Sequence, residues 1–157
     1  EVWNGLALAG GAATVGCCCN MLGFAVISYP DNGVGGLVAQ GLGTSMLQVP
    51  NLMRKPVLWI PPVLTSAILG PVATCIFQLR NNGAAISSGM GTAGLVGPIG
   101  IITGWSNMPK GYAPGAFDWV GMILVCFILP VVLSWAIGKF MRKKGWIKEG
   151  DLKVDLG

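Results

Sequence analysis

Histidine is absent from the 157 residues, and charge is scarce, with only 10% of positions Asp, Glu, Lys or Arg. A soluble globular chain carries roughly 25% charged residues. The missing imidazole removes the commonest metal ligand and the commonest general base at neutral pH. Between Asn32 and Phe117 there is no carboxylate either. That stretch holds no paired carboxylates, no Ser/His/Asp set and no intramembrane acid of the proton-relay kind. Metal-ligand spacing and a Walker-type phosphate loop are also missing. The expectation is a chain that binds or conducts, with no catalytic residue, no metal and no cofactor.

The few charges are unevenly spread. Glu1, Asp31, Arg54, Lys55, Arg80, Lys110 and Asp118 are the only ones before Lys139. Between them lie uncharged runs at 2–30, 32–53, 56–79, 81–109 and 119–138. A helix crosses a bilayer core about 30 Å thick with ~20 apolar residues, so every run is long enough. With 53% apolar residues, this reads as an integral membrane protein. Net charge is +4, but Lys139, Arg142, Lys143, Lys144, Lys148 and Lys153 crowd into the tail. Nucleic-acid binding needs a basic face with reading elements, which the rest of the chain lacks. The tail instead suits anionic headgroups of the lipid bilayer. Cys17, Cys18, Cys19, Cys75 and Cys126 all lie in apolar runs. Consecutive cysteines on a helix point about 100° apart and cannot pair, so these read as small packing residues kept reduced.

Three runs read as spanning helices, at about 2–29, 56–79 and 119–141. The first offers Gly5, Ala9, Ala12 and Gly16 as a smooth packing face, with Asn4, Thr14 and Asn20 as polar interior groups. The second carries Pro61-Pro62 and Gly70-Pro71, which should kink or restart it. The third is flanked by Trp119 and Trp135, as an aromatic belt would place them, with Val125 and Leu129 facing lipid. Residues 1–144 thus form the membrane domain, and 145–157 a polar cytoplasmic tail lying in water. The chain opens on Glu-Val-Trp-Asn, without a basic n-region, into a run too long for a signal peptide. A fragment of a longer protein is expected.

Glycine is in excess, with 25 residues where an average chain would have about 11. The runs 33–50 and 83–104 hold so many that neither can be an uninterrupted helix, since each costs about 1 kcal/mol relative to alanine. The positive-inside rule puts Arg54-Lys55 and 139–144 in the cytoplasm. The 56–79 helix then runs outward and the 119–141 helix inward, so 83–104 begins and ends outside and must be re-entrant. The loop 105–117, with Trp105, Pro109 and Lys110, should be extracytoplasmic. By the same parity 33–50 dips from the cytoplasmic face, although the charges alone also permit it to cross.

An internal repeat favours the dip. Asn32-Gly33 followed by Gly41-Leu42-Gly43-Thr44 is echoed by Asn82-Gly83 followed by Gly89-Met90-Gly91-Thr92. A helix followed by a broken segment, repeated in inverted topology, is how transporters build midplane sites. The fold expected is all-α membrane, with transmembrane helices and two Gly-rich re-entrant broken-helix segments in an inverted repeat. The Gly-x-Gly-Thr turns leave backbone N–H groups free and allow close approach, which suits an anionic or hydroxyl-rich ligand. The candidate binding residues are Gly41, Gly43, Thr44, Ser45, Gln48, Gly89, Gly91, Thr92 and Asn20. Thr44 and Thr92 should lie close together with Gln48 nearby.

The wording of these stretches is itself familiar. Residues 32–51, then Trp59-Ile-Pro-Pro62, Gly70-Pro71 and Gly89-Met-Gly-Thr-Ala-Gly-Leu-Val-Gly-Pro98, resemble the second family of phosphotransferase-system EIIC membrane components. That family includes the PfoR-type regulatory membrane proteins. The resemblance runs over about residues 5–140 and covers the C-terminal half of such a protein. It implies a multi-pass protein of the bacterial cytoplasmic membrane that binds and translocates a sugar or similar polar solute. It also implies IIA and IIB phosphotransferase components as partners, and a homodimer. At most the chain would be the membrane subunit of a sugar phosphotransferase complex. Sugar-transporting members generally place a glutamate or histidine near the sugar, and this chain has neither in its membrane core. The alternative is therefore a non-transporting membrane sensor or regulator of PfoR type.

Overall fold

The computed structural model describes residues 2–106 and 113–154. The expectations attached to Glu1, to the side chains of Trp3 and Asn4, and to Pro109 and Lys110 lie outside the described residues. Every regular element among those described is helical. Three helical stretches are long and apolar enough to cross a membrane: Gly5–Ile27, Pro56–Ile76 and Ala116–Lys143.

The first, α1 (Val2–Ile27), has no proline to interrupt it and ends where Ser28 and Tyr29-Pro30 turn the chain. Helix α2 (Tyr29–Val38) bends at Gly33, whose φ of 60° is left-handed space that glycine enters freely. A wide π turn follows at Ala39–Gly43, and Thr44 is fully extended. Its hydroxyl accepts from the Met46 N–H at 3.2 Å and so starts a tight turn at Ser45–Gln48, which leads into α3 (Val49–Arg54).

The second span begins as a tight turn at Pro56–Trp59 and continues as α4 (Ile60–Pro71). Pro61 and Pro62 fall in the first turn of α4, where a missing N–H costs nothing. After Pro71 the coil widens into a π turn at Val72–Ile76. An irregular stretch leads to the short α5 (Ser87–Met90), a break at Gly91, and α6 (Val96–Ser106). The last span is α7 (Ala116–Ile123), a π turn at Leu124–Ile128, and α8 (Leu129–Lys143).

Helix α1 is the axis of the fold, packed by α4, α5 and α8. Val15, Cys18, Cys19, Leu69, Ile101, Met122, Val125 and Cys126 make one core. Close contacts on α1 fall at Gly10, Gly11 and Gly23, whereas nothing lies within 4 Å of where a Cβ would stand at Gly5 or Gly16. The smooth face is therefore a different one from that expected. Val125 is also displaced from expectation: it is fully buried, with no lipid-facing surface. Thr65 and Ser134, both buried, share a 3.0 Å hydrogen bond that ties α4 to α8. Exposed Val63, Leu64, Ile68, Val120, Ile123 and Val132 leave apolar faces on the spans, as a membrane protein requires.

Both glycine-rich runs double back beside α1. The Asn81 N–H donates to the Ala7 carbonyl at 2.9 Å, Gly91 packs against Cys17 and Cys18, and α6 returns until Gly104 meets Asn82. The other run leaves α1 at Ser28, reaches Leu22 and Ala25 at Gly41, and returns to the tail at Gln48 and Asn51.

The tail departs from expectation. Ile147 and Leu152 are buried, in a second core with Phe24, Ile27, Leu52, Leu58 and Met141, so this segment does not lie free in water. Asp151 pairs with Lys55. Burial pushes its carboxyl up, but hydrogen bonds from the Lys55 ammonium and the Lys148 N–H, with both lysine charges, outweigh that and hold it below the usual value. A depressed carboxyl stabilises above the unfolded-chain pKa and loses that contribution as pH falls through the folded value. Acidification below about pH 4 should thus loosen the tail. Limited proteolysis at Lys148 and Lys153 should accelerate there and stay constant between neutral pH and that point.

Candidate functional site

The tips of the two doubled-back segments meet. The Thr92 side chain is fully buried and its hydroxyl donates to the Gly41 carbonyl at 2.6 Å. That carbonyl is free to accept because the backbone around it is a π turn ending in an extended residue. Beside this contact lies a cavity of about 400 Å³. Gly43, Thr44, Ser45 and Met46 form one wall, Gly89, Met90 and Ala93 a second, and Cys17, Asn20 and Met21 of α1 the third.

The expected residues therefore divide. Gly43, Thr44, Ser45, Gly89 and Asn20 line one cavity. Gly41 and Thr92 make the contact that joins its walls, with Thr92's hydroxyl already engaged. Gly91 is a packing glycine: its φ is 54°, and a Cβ would stand 2.8 Å from the Cys18 nitrogen. Gln48 is not in the cavity. It is fully buried and donates to Gln40 Oε1 at 3.0 Å and to the Leu152 carbonyl at 2.9 Å.

Asn20 is the polar residue that α1 brings to the cavity lining. Its Nδ2 donates back to the Gly16 carbonyl at 3.1 Å, which fixes the amide. Its Oδ1 is buried and has no hydrogen-bond partner among the described residues. A buried acceptor without a donor costs about 1–3 kcal/mol, which a donor would recover once the side chain turned to meet it. Thr44 and Ser45 add hydroxyls, and Met21, Met46 and Met90 add adaptable apolar surface. The arrangement suits a ligand with hydroxyl groups and an apolar face. Cys17, Met21, Met46, Met90 and Ala93 escaped the sequence reading. Cys17 was findable, because it sits three residues before Asn20 on the same helix face.

Cys18 and Cys19 are fully buried beside Cys126, while Cys17 reaches the cavity. Replacing Cys18 and Cys19 with alanine should lower the thermal midpoint only slightly, since each loses a single small group. Serine at the same places should cost more, because each hydroxyl needs a partner.

Comparison with curated proteins and with solved structures gives no significant match. The family described as "Phosphotransferase system, EIIC" matches residues 4–154. A match over nearly the whole chain, on three membrane-length helices, decides the assignment: the chain belongs to the phosphotransferase-system EIIC family and is a membrane component of that system.

Proposed function

We propose that this chain binds a sugar in the cavity between the two Gly-x-Gly-Thr tips and passes it across the membrane, for phosphorylation by separate IIA and IIB components. The observation that supports this most is the Thr92–Gly41 contact, which brings two repeat-like turns together beside an unpaired buried acceptor. In this reading 33–50 and 83–104 are re-entrant and approach from opposite membrane faces, in an inverted repeat. Arg54-Lys55 and the 139–144 cluster lie on the cytoplasmic side of the bacterial cell membrane, with the C-terminus. The site residues are Asn20, Gly43, Thr44, Ser45 and Gly89, with Gly41, Gly91 and Thr92 holding the walls together. The family resemblance adds a homodimer.

Cys17 provides the test. In a Cys75→Ser background it is the reactive thiol of the described cavity, because Cys18, Cys19 and Cys126 are fully buried. A panel of neutral sugars should include one that slows its alkylation by a small maleimide in purified protein, and Asn20→Leu should remove the protection. Alkylation that no sugar slows would end the sugar reading. For topology, a cysteine at exposed Ser106 should react with an impermeant reagent in intact cells. Labelling only after permeabilisation would reverse the assigned orientation.

A further inference from the structure

The tail from Gly145 to Val154 has only turns of its own, yet side-chain amides of the 28–54 segment grip its main chain. Asn32 holds it twice: Nδ2 donates to the Leu152 carbonyl at 2.6 Å, and Oδ1 accepts from the Val154 N–H at 2.7 Å. Gln48 Nε2 reaches the same Leu152 carbonyl, and Asn51 Nδ2 donates to the Lys153 carbonyl at 2.9 Å. The Leu152 side chain is fully buried.

These contacts continue inward. Gln48 donates to Gln40, and Gln40 Nε2 donates to the Ser28 hydroxyl at 3.0 Å, with both glutamines fully buried. Gln40 immediately precedes Gly41, whose carbonyl takes the Thr92 hydroxyl. Gln48 closes the turn that begins at Ser45 in the cavity wall. An unbroken set of hydrogen bonds thus joins the tail backbone to residues adjoining the tip of the site.

We propose that residues 147–154 act as a clamp that sets the position of the 39–46 tip and so controls access to the cavity. As regulation of ligand binding, this rests on the cavity being the sugar site. The tip has little regular structure to hold it: a π turn, one extended residue and a tight turn lie in sequence. Buried amide networks keep one geometry only while every member is paired. Without Leu152, one Gln48 N–H loses its acceptor and the Gln48–Gln40 pair is free to shift. The tail has no helix of its own to hold it in place, being short, turn-rich and pinned outside by a partly exposed Lys55–Asp151 pair.

Cys17 alkylation in the Cys75→Ser background reads the clamp without any sugar present. Deleting residues 145–157 should speed the reaction about tenfold, the equivalent of one buried hydrogen bond lost. A synthetic Gly145–Val154 peptide should restore the slow rate, and the same peptide with Leu152→Asp should not. Where the truncated protein does not stay monodisperse, Leu152→Ala and Asn32→Ala in the full chain should each speed the reaction in the same sense. An unchanged rate in truncated or substituted protein, or equal restoration by both peptides, would overturn the clamp. A clear rate change together with no protection by any sugar would support the clamp and remove only the sugar reading.

Discussion

Gly91→Val should leave the protein unable to hold its two tips together, with a loss of about 3 kcal/mol or more. A Cβ at this position would stand 2.7 Å from the Cys17 carbonyl carbon and 2.8 Å from the Cys18 nitrogen. Both are backbone atoms of a long helix and cannot rotate away. The left-handed φ of 54° adds strain for any residue with a side chain, most of all a β-branched one. As Gly91 backs away, its carbonyl loses the 2.9 Å bond from the Gly97 N–H, and Thr92 is drawn off Gly41. The measurement is the thermal midpoint of monodisperse protein in detergent, where wild-type behaviour of Gly91→Val would refute the packing. Gly43→Ala is the informative contrast. Nothing lies within 4 Å of its Cβ position, so the midpoint should move by less than about 0.5 kcal/mol equivalent while sugar protection of Cys17 changes.

Arg142→Met should be the second costly change. The Asp31 side chain is only 4% exposed, and Arg142 Nη2 meets its carboxylate at 2.9 Å while also donating to the Ile27 carbonyl at 3.0 Å. Without the guanidinium the carboxylate keeps one backbone donor, the Gly150 N–H at 3.1 Å. Breaking a buried pair costs about 3–5 kcal/mol, and the lower end applies because Arg142 is itself a fifth exposed. Adding Asp31→Asn to Arg142→Met should recover most of the loss, since the stranded charge is then gone. The double-mutant cycle on thermal midpoints reads this directly. Additive losses, with the double variant falling by the sum of Arg142→Met and Asp31→Asn alone, would mean the pair is not coupled.

The spans were legible because charge and length alone mark them: the ranges 2–29, 56–79 and 119–141 correspond to Val2–Ile27, Pro56–Ile76 and Ala116–Lys143. The interruption of the two glycine-rich runs was legible from their glycine content, which disfavours an unbroken helix. Gln48 was not, because its partner is the carbonyl of Leu152, 104 residues away, and no pattern near Gln48 encodes that. The docked tail failed for a related reason. Ile147 and Leu152, set among charges, look solvated until a socket for them exists on another segment. Val125 was misplaced because nothing local marks the π turn at Leu124–Ile128, which changes the face a residue presents. At the tips, spacing marked both Gly-x-Gly-Thr turns alike, whereas only Gly91 is pressed against a neighbour.

The wide turns at Ala39–Gly43, Val72–Ile76 and Leu124–Ile128 bear on how relatives of this chain are aligned. The last of them, which runs on into α8, behaves as an α-helix that has accepted one additional residue. A relative lacking that residue would keep the helix but turn everything beyond it by about 100°. For the last span this would carry Ser134 off Thr65, and Arg142 off Asp31. A one-residue gap in an alignment at 124–128 therefore marks a change of partners across the whole of α8, however similar the flanking letters remain. A gap at that place is the one to score as a structural event.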